Sequence, residues 1–475
     1  MTEVSRPSGA LTRSSRATAR STSQPSISRG MFHATAAVRP RKEDREPPGT
    51  AALPRPDADG LRQTPGGRPL RIGIVAPPWF SVPPSGYGGI EAMVAGLVDG
   101  LVARGHFVTL IGAGEGRTAA QRFHATFSEP PSARLGDPMP EVLHAASAAA
   151  LVEREELDIV HDHTLVGPLL ARGRGVPTVA TAHGPVRGEP GDYLVALGSS
   201  VDVVAISRAQ RQLRPEVNWL STVHNGVDVD SFPMGRGDGG YLLFLGRFNP
   251  DKGAHLAIDV ARSAGRRLLL AGKLNEAAEK SYFAAAVAPR LGHGVEYVGE
   301  ADAATKRELL AGAEALLFPV DWDEPFGLVM VEAMACGTPV IALRRGSVPE
   351  IVVHGETGFV VDEPERLVEA VGAVDTIDRE RCRSRAKVFD TSRMVEGYVA
   401  AYRAVVEGRE LCAAARPDDP VLVSARPLDH LMPSASRQQS DGVAPTEDAD
   451  RRHRLLMPTA ESDGVGTARS PRARR

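Results

Sequence analysis

Asp228-Val-Asp-Ser-Phe-Pro-Met-Gly-Arg-Gly-Asp-Gly-Gly-Tyr241-Leu-Leu-Phe-Leu245 is the stretch that decides the fold. From Asp228 to Gly240 it is rich in Gly, Asp and Pro, which punctuate regular structure, and at Tyr241 a strand-length apolar run begins. On both sides of this break, short apolar runs alternate with amphipathic helical stretches, the pattern that builds a parallel sheet covered on both faces. Before it the runs begin at Arg71, Phe107, Asp158, Thr178, Val201 and Ser221; after it they begin at Tyr241, Arg267, Val295, Ala315, Pro339 and Gly358. The fold class expected is α/β: two tandem Rossmann-like domains, over residues 69–232 and 238–390, facing across a cleft. Open α/β sheets bind ligands at the C-terminal ends of their strands, so the active site belongs in that cleft. Met394, Tyr398 and Tyr402 recur at near-helical spacing, which predicts a last helix over 391–410 packing back across the join.

The rest of the composition sets limits. At 475 residues the chain is long enough for two cores. A formal charge of -3 supplies no global field for nucleic acid, so no nucleic-acid partner is expected. The three cysteines, Cys336, Cys382 and Cys412, have no metal-ligand spacing and are too few for a disulfide framework, which fits a reduced, cytoplasmic setting. No run reaches the roughly 20 apolar residues of a membrane span, and the start lacks a secretory apolar core. Residues 1–68 are rich in Ser, Arg, Pro and Thr and read as a disordered basic tail. That tail resembles a transit peptide, but a tail biased by genome composition or a true start at Met31 is the favoured account, and its charge leaves open a peripheral contact with anionic lipid. Residues 411–475 are a second disordered tail, in which Leu431-Met-Pro-Ser-Ala and Ser440-Asp-Gly-Val are echoed by Leu456-Met-Pro-Thr-Ala and Ser462-Asp-Gly-Val.

Three segments can carry chemistry. After the first apolar run, Gly86-Tyr-Gly-Gly-Ile-Glu91 precedes a helix, where Gly88 and Gly89 let backbone amides approach a phosphate or sugar; a tight structural turn explains them too. Leu110-Ile-Gly-Ala-Gly ends the second run without an acid, which counts against a dinucleotide-binding dehydrogenase. After Tyr241-Leu-Leu-Phe-Leu comes Gly246-Arg-Phe-Asn-Pro-Asp-Lys-Gly253, whose Arg247 and Lys252 can hold a diphosphate, one as a planar fork and one as a point charge. The most specific segment is Asp321-Trp-Asp-Glu-Pro-Phe-Gly-Leu-Val-Met-Val-Glu332, a loop feeding a helix that Gly337 terminates. The amides of Gly327, Leu328 and Val329 would stand free at that helix start as an anion site, while Glu324 and Glu332 grip hydroxyls.

These residues resemble the family-4 retaining glycosyltransferases of the GT-B fold, whose hallmark is the E-x7-E motif, here Glu324 to Glu332. Tyr87-Gly-Gly-Ile-Glu91, His161-Asp-His163, Thr181-Ala-His-Gly-Pro185, Ala205-Ile-Ser207, His224-Asn-Gly-Val-Asp228 and Gly355-Glu-Thr-Gly-Phe359 extend the likeness over about residues 70–408, nearest to the avilamycin-pathway-type branch. The resemblance implies that Arg247 and Lys252 bind the donor diphosphate, Glu324 the donor-sugar hydroxyls and Glu332 the ribose. Gly88 and Gly89 would face the phosphates and the sugar from the other domain, with His183 beside the reacting centre. It also implies sugar transfer from a UDP- or GDP-linked donor, with retention, to a small-molecule, glycan or lipid-linked acceptor. No cofactor is called for, since the nucleotide sugar is a co-substrate. Asp321-Trp-Asp323 abuts Glu324 instead of forming a separate metal motif, so no metal is expected. A nucleotide-sugar epimerase or hydrolase of the same fold, and an inactive sugar-binding scaffold, remain as alternatives. Acceptor choice is assigned to loops at 112–140 and 184–195.

Overall fold

The structure is a computed structural model that describes residues 67–414 other than Tyr87, with side chains as far as Gly408. Of the tails expected at 1–68 and 411–475, all but residues 67–68 and 411–414 lie outside the described residues, as does the short repeat in the second, and 411–414 belong to the last helix.

Seven strands form the first sheet: β1 (Arg71–Val75), β2 (Phe107–Gly112), β3 (Arg122–Ala125), β4 (Ile159–Asp162), β5 (Thr178–Ala182), β6 (Asp202–Ala205) and β7 (Trp219–Thr222). All pair in parallel, in the order β3-β2-β1-β4-β5-β6-β7. β1 lies between β2 and β4, with Ile72 opposite Val108 on one side and Ile159 on the other. Its Ile72, Ile74 and Val75 are buried, which is why a strand covered on both faces reads as an unbroken apolar run. β3 was not expected. Its Arg-Phe-His-Ala sequence is polar because it is an edge strand whose outer residues face water, so no apolar run marks it.

The second sheet holds β8 (Leu242–Leu245), β9 (Leu268–Ala271), β10 (Val295–Gly299), β11 (Ala315–Phe318), β12 (Val340–Leu343) and β13 (Gly358–Val361). They pair in parallel in the order β10-β9-β8-β11-β12-β13. Helices α1 (Gly89–Ala103), α2 (Pro138–Val152), α3 (Glu189–Leu197) and α4 (Arg208–Leu213) flank the first sheet. Around the second are α5 (Ala254–Ser263), α6 (Ala277–Tyr282), α7 (Ala303–Gly312), α8 (Leu328–Ala335), α9 (Val348–Ile351), α10 (Arg366–Gly372) and α11 (Arg379–Ala386). The segments read as loops are partly regular: 112–140 contains β3 and the start of α2, and α3 fills most of 184–195.

The chain passes between the halves twice. Val227 donates to the carbonyl of Phe389 (2.9 Å) and Thr391 donates back to Val227 (3.2 Å), so the outgoing and returning segments run side by side. The last helix, α12 (Thr391–Ala414), extends four residues beyond the expected end. It buries Met394, Val395, Tyr398 and Tyr402 against the first sheet's core and crosses α1 closely. A Cβ on Gly100 of α1 would stand 2.5 Å from Val395 Cγ2, so the approach depends on that glycine.

Candidate active site

In the second sheet, β9 and β10 extend from β8 in one direction and β11 to β13 in the other. Loops leaving β8 and β11 therefore diverge and open a crevice at the C-terminal ends of two adjacent strands. Arg247 and Lys252 follow β8, and Glu324 and Gly327 follow β11. The loops are fixed to each other: Asp321 donates its amide to Asp251 (2.9 Å), and Gly253, at φ 73°, comes so close to Pro319 that a Cβ would lie 2.2 Å from its carbonyl oxygen.

The two cations expected to hold the diphosphate each have carboxylate partners. Arg247 donates from Nε to Glu279 (2.9 Å) and from Nη2 to Glu276 (2.6 Å), and Glu276 also accepts from Lys273 Nζ (2.8 Å). Burial raises the Glu279 carboxyl, but Arg247, the Glu276 amide and Lys273 together hold it below the usual range. Lys252 Nζ donates to Glu324 Oε2 (2.6 Å), which also accepts from Trp322 Nε1 (2.9 Å), and the ammonium sits 4.7 Å above the Trp322 ring. Glu324 is thus buried beside a cation, and its other oxygen has no protein donor among the described residues. Its backbone is locked from behind by Gly346, at φ 48°, and by Ser347, whose amide donates to the Glu324 carbonyl (2.9 Å).

α8 begins at Gly327, which caps it at φ 79°, a conformation that suits glycine. The amides of Gly327, Leu328 and Val329 have no protein acceptor among the described residues, leaving the helix start open to an anion. Met330, Val331 and Met334 are buried and fix the helix to the sheet. At its other end Thr338 donates to Ala333 (2.9 Å) and Gly337, at φ 74°, donates to Met334 (2.8 Å), the two bonds that close a helix on a left-handed glycine. Glu332 lies on the outer side, paired with Lys306 Nζ of α7 at 2.5 Å.

The first sheet reverses between β1 and β4. Gly88, at φ 147°, caps α1 after β1, and a Cβ on Gly89 would touch Leu328 Cδ1 at 3.4 Å, so this turn meets the start of α8. Arg187 and Asp323 pair across the same gap at 2.5 Å. Glu91, on the first turn of α1, is buried and its carboxyl is pushed up to about 7, chiefly by burial, with Glu141 adding to the effect. Beyond β4 and β5, His163 Nδ1 and His183 Nε2 share a hydrogen bond of 2.9 Å. His161 binds Tyr402 (2.6 Å) and Thr181 (2.7 Å), and Thr181 binds Tyr398 (3.0 Å). Burial lowers the His183 ring to about 4 and holds His161 and His163 well below their ordinary value, so all three are neutral at pH 7.

His163, Lys273, Glu276 and Glu279 were absent from the sequence-level site. His163 was visible in His161-Asp-His163, but only the 20-residue jump to His183 gives it a partner. The Glu276-to-Glu279 capping pair on α6 was legible as a helix start and nothing more. A cavity of about 1370 Å³ lies elsewhere, beside β7 and the start of α12, and is lined by none of the sequence-derived site residues. The crevice is defined by strand order and side-chain convergence instead. Among the described residues, no group of three or more His, Cys, Asp or Glu is placed to hold a metal ion.

Comparison with known proteins adds an independent line. The Glycosyltransferase Family 4 domain matches residues 87–231, and the domain described as Glycosyl transferases group 1 matches residues 232–388, the two meeting inside the Asp228–Gly240 break. D-inositol 3-phosphate glycosyltransferase 1 of Catenulispora acidiphila is 30% identical over 334 residues, 57% of this chain and 78% of that one. The chain belongs to glycosyltransferase family 4. The phosphatidyl-myo-inositol mannosyltransferase of Mycobacterium tuberculosis is 26% identical to the transferase over 366 residues, 71% of this chain and 92% of that protein. AviGT4, a glycosyltransferase involved in avilamycin A biosynthesis, superposes with a TM-score of 0.55 at 28% identity, covering 72% of this chain and 99% of its own. The two-sheet architecture is that of the GT-B glycosyltransferases, and the transferase is an enzyme of the hexosyltransferase type. No helix of the described residues is long and apolar enough to cross a membrane.

Proposed function

We propose that the transferase moves a sugar from a UDP- or GDP-linked donor to an acceptor hydroxyl with retention, giving an α-linked product. The observation that supports this reading is the meeting of Lys252, Glu324 and three open amides at the β8–β11 crevice, because a departing diphosphate needs fixed positive charge and donors where its own charge grows. In this reading the bond from the anomeric carbon to the phosphate oxygen breaks while the acceptor oxygen bonds to that carbon on the same face. The acceptor proton passes to the leaving phosphate. Arg247 and Lys252 neutralise the diphosphate together with the amides of Gly327, Leu328 and Val329. Glu324 accepts from donor-sugar hydroxyls through its open oxygen, and Glu332 accepts from the ribose. Gly88 and Gly89 bring backbone to the phosphates and sugar without a side chain between, and neutral His183 borders the reacting carbon. In this reading the charge on the leaving group is met by Arg247, Lys252 and the helix-start amides, with no metal ion or other cofactor taking part. Two of the relatives act on inositol-containing acceptors, which places polyol hydroxyls first among acceptors to try.

The experiment is a thermal-shift screen of nucleoside diphosphates and their sugars, followed by diphosphate release and the anomeric configuration of the product. UDP or GDP should raise Tm, product should be α-linked, chelator should leave the rate unchanged, and Arg247→Ala and Glu324→Ala should be slow. Equal rates in wild type and both variants, or a β-linked product, would refute the assignment.

A further inference from the structure

His163 follows β4 and is anchored by its amide, which donates to the Val75 carbonyl of β1 (2.9 Å). Its buried ring packs over His161, centroids 3.9 Å apart, and His161 is held in turn between Tyr402 of α12 and Thr181 of β5. Only one of the two ring nitrogens of His163 finds a partner. Nδ1 meets Nε2 of His183 at 2.9 Å, while Nε2 is buried with no hydrogen-bond partner among the described residues. The centroids of His163 and His183 lie 5.2 Å apart, which is the N···N distance plus two ring radii, and the planes differ by 29°. The rings therefore meet in line along the hydrogen bond.

The orphaned nitrogen decides where the protons are. A proton on Nε2 of His163 would be a buried N–H with nothing to accept it, which folded proteins avoid more strictly than an unused lone pair. His163 therefore carries its proton on Nδ1 and donates to His183. Nε2 of His183 accepts and holds no proton, so the one proton of that ring sits on Nδ1. Burial acts in the same direction, since it keeps both rings from taking up a second proton at pH 7. Nδ1 of His183 has no protein partner among the described residues, and the residue is partly exposed, so this N–H is left for a ligand. His161 is not fixed in this way, because both of its neighbours are hydroxyls that can donate or accept.

We infer that His163 is a positioning residue that locks His183 in its Nδ1–H form, so that His183 offers the cleft a hydrogen-bond donor and not a base. A free histidine side chain favours the Nε2–H form, and a hydrogen bond to one ring nitrogen is what sets the proton on the other. That an oxygen of the reacting sugars stands beside Nδ1 rests on the transferase reading; the state of the two rings does not. Where that reading holds, neither ring nitrogen of His183 is free to take the acceptor proton, which goes to the departing phosphate.

Nitrogen-15 NMR of the full chain labelled at its 13 histidines reads the ring states directly, without substrate. With the His183 signals assigned by their loss in His183→Gln, wild type at pH 7 should show the Nδ1–H form; an Nε2–H or doubly protonated ring would overturn the inference. His163→Leu removes the donor and should return His183 to Nε2–H, while lowering kcat at least about tenfold with a smaller change in KM. His163→Asn sets an amide nitrogen near the place of Nδ1 and should restore both the Nδ1–H form and most of kcat, a rescue that a space-filling role would not produce. The inference fails if folded His163→Leu keeps the wild-type ring state or rate, or if His163→Asn is as impaired as His163→Leu. The expected ring state in a chain that transfers no sugar would refute the transferase reading alone.

Discussion

Replacing Lys252 by Ala separates the two demands on that ammonium. In the resting enzyme it neutralises Glu324, a carboxylate with 8% of its side chain exposed, at 2.6 Å. Removing one partner of a buried pair leaves the other charge uncompensated, at a cost of about 3–5 kcal/mol when both are buried. Lys252 still touches water and Trp322 Nε1 still donates to Glu324, so the expected loss is about 2 kcal/mol, or roughly 4–8 °C in Tm. In the proposed reaction the same ammonium faces the leaving diphosphate, and deleting a pre-organised donor to developing charge is expected to slow turnover by about 10²–10³. The double variant Lys252→Ala/Glu324→Gln discharges the orphaned carboxylate and should regain most of the lost Tm while remaining at least as slow. Diphosphate release at saturating donor gives the rate and a melting curve gives the stability. If Lys252→Ala lost less than about tenfold in rate, or if the double variant recovered activity along with Tm, the ammonium would be a structural counter-ion and the mechanism above would fail.

The buried Glu91 makes a pH-dependent prediction. Its folded pKa of about 7 is raised from 4.5, so the stabilisation is complete below the unfolded value and is lost as pH climbs through about 7, by roughly 3 kcal/mol. Glu91→Gln should therefore gain stability relative to wild type between pH 4.5 and 8, and parallel denaturation curves at the two pH values would sink the idea. Gly346 supplies a geometric test: at φ 48° a Cβ would stand 2.3 Å from the Glu324 carbonyl oxygen. Gly346→Ala should cost about 1–3 kcal/mol and also displace Glu324, so turnover must fall even at temperatures where the variant is fully folded. Unchanged turnover would mean that the Glu324 loop does not need this support.

Most of the fold was legible because parallel strands buried on both faces leave continuous apolar runs. Twelve of the thirteen strands were anticipated, the central ones in this way, and β3 was not, because its Arg-Phe-His-Ala sequence at the sheet edge offers no apolar run. The segment from Glu324 to Gly337 was legible for another reason: cap, helix and stop are all local, and Gly327 and Gly337 each supply the left-handed conformation their position requires. What was hidden is what depends on tertiary distance. The carboxylate partners of Arg247 and Lys252 gave no local signal, because they sit 29, 32 and 72 residues away along the chain.

The hydrogen bonds from His161 to Tyr402 and from Thr181 to Tyr398 also impose an order of events during synthesis. Strand β7 completes the first sheet at Thr222, yet the tyrosines that cover its buried histidine are not made until about 180 residues later. At about 5–20 residues per second the nascent first half waits on the order of 10–30 s with that floor uncovered. Ribosome-bound chains should therefore be protease-sensitive at the first half until α12 emerges, and the second half should be the first to become protected.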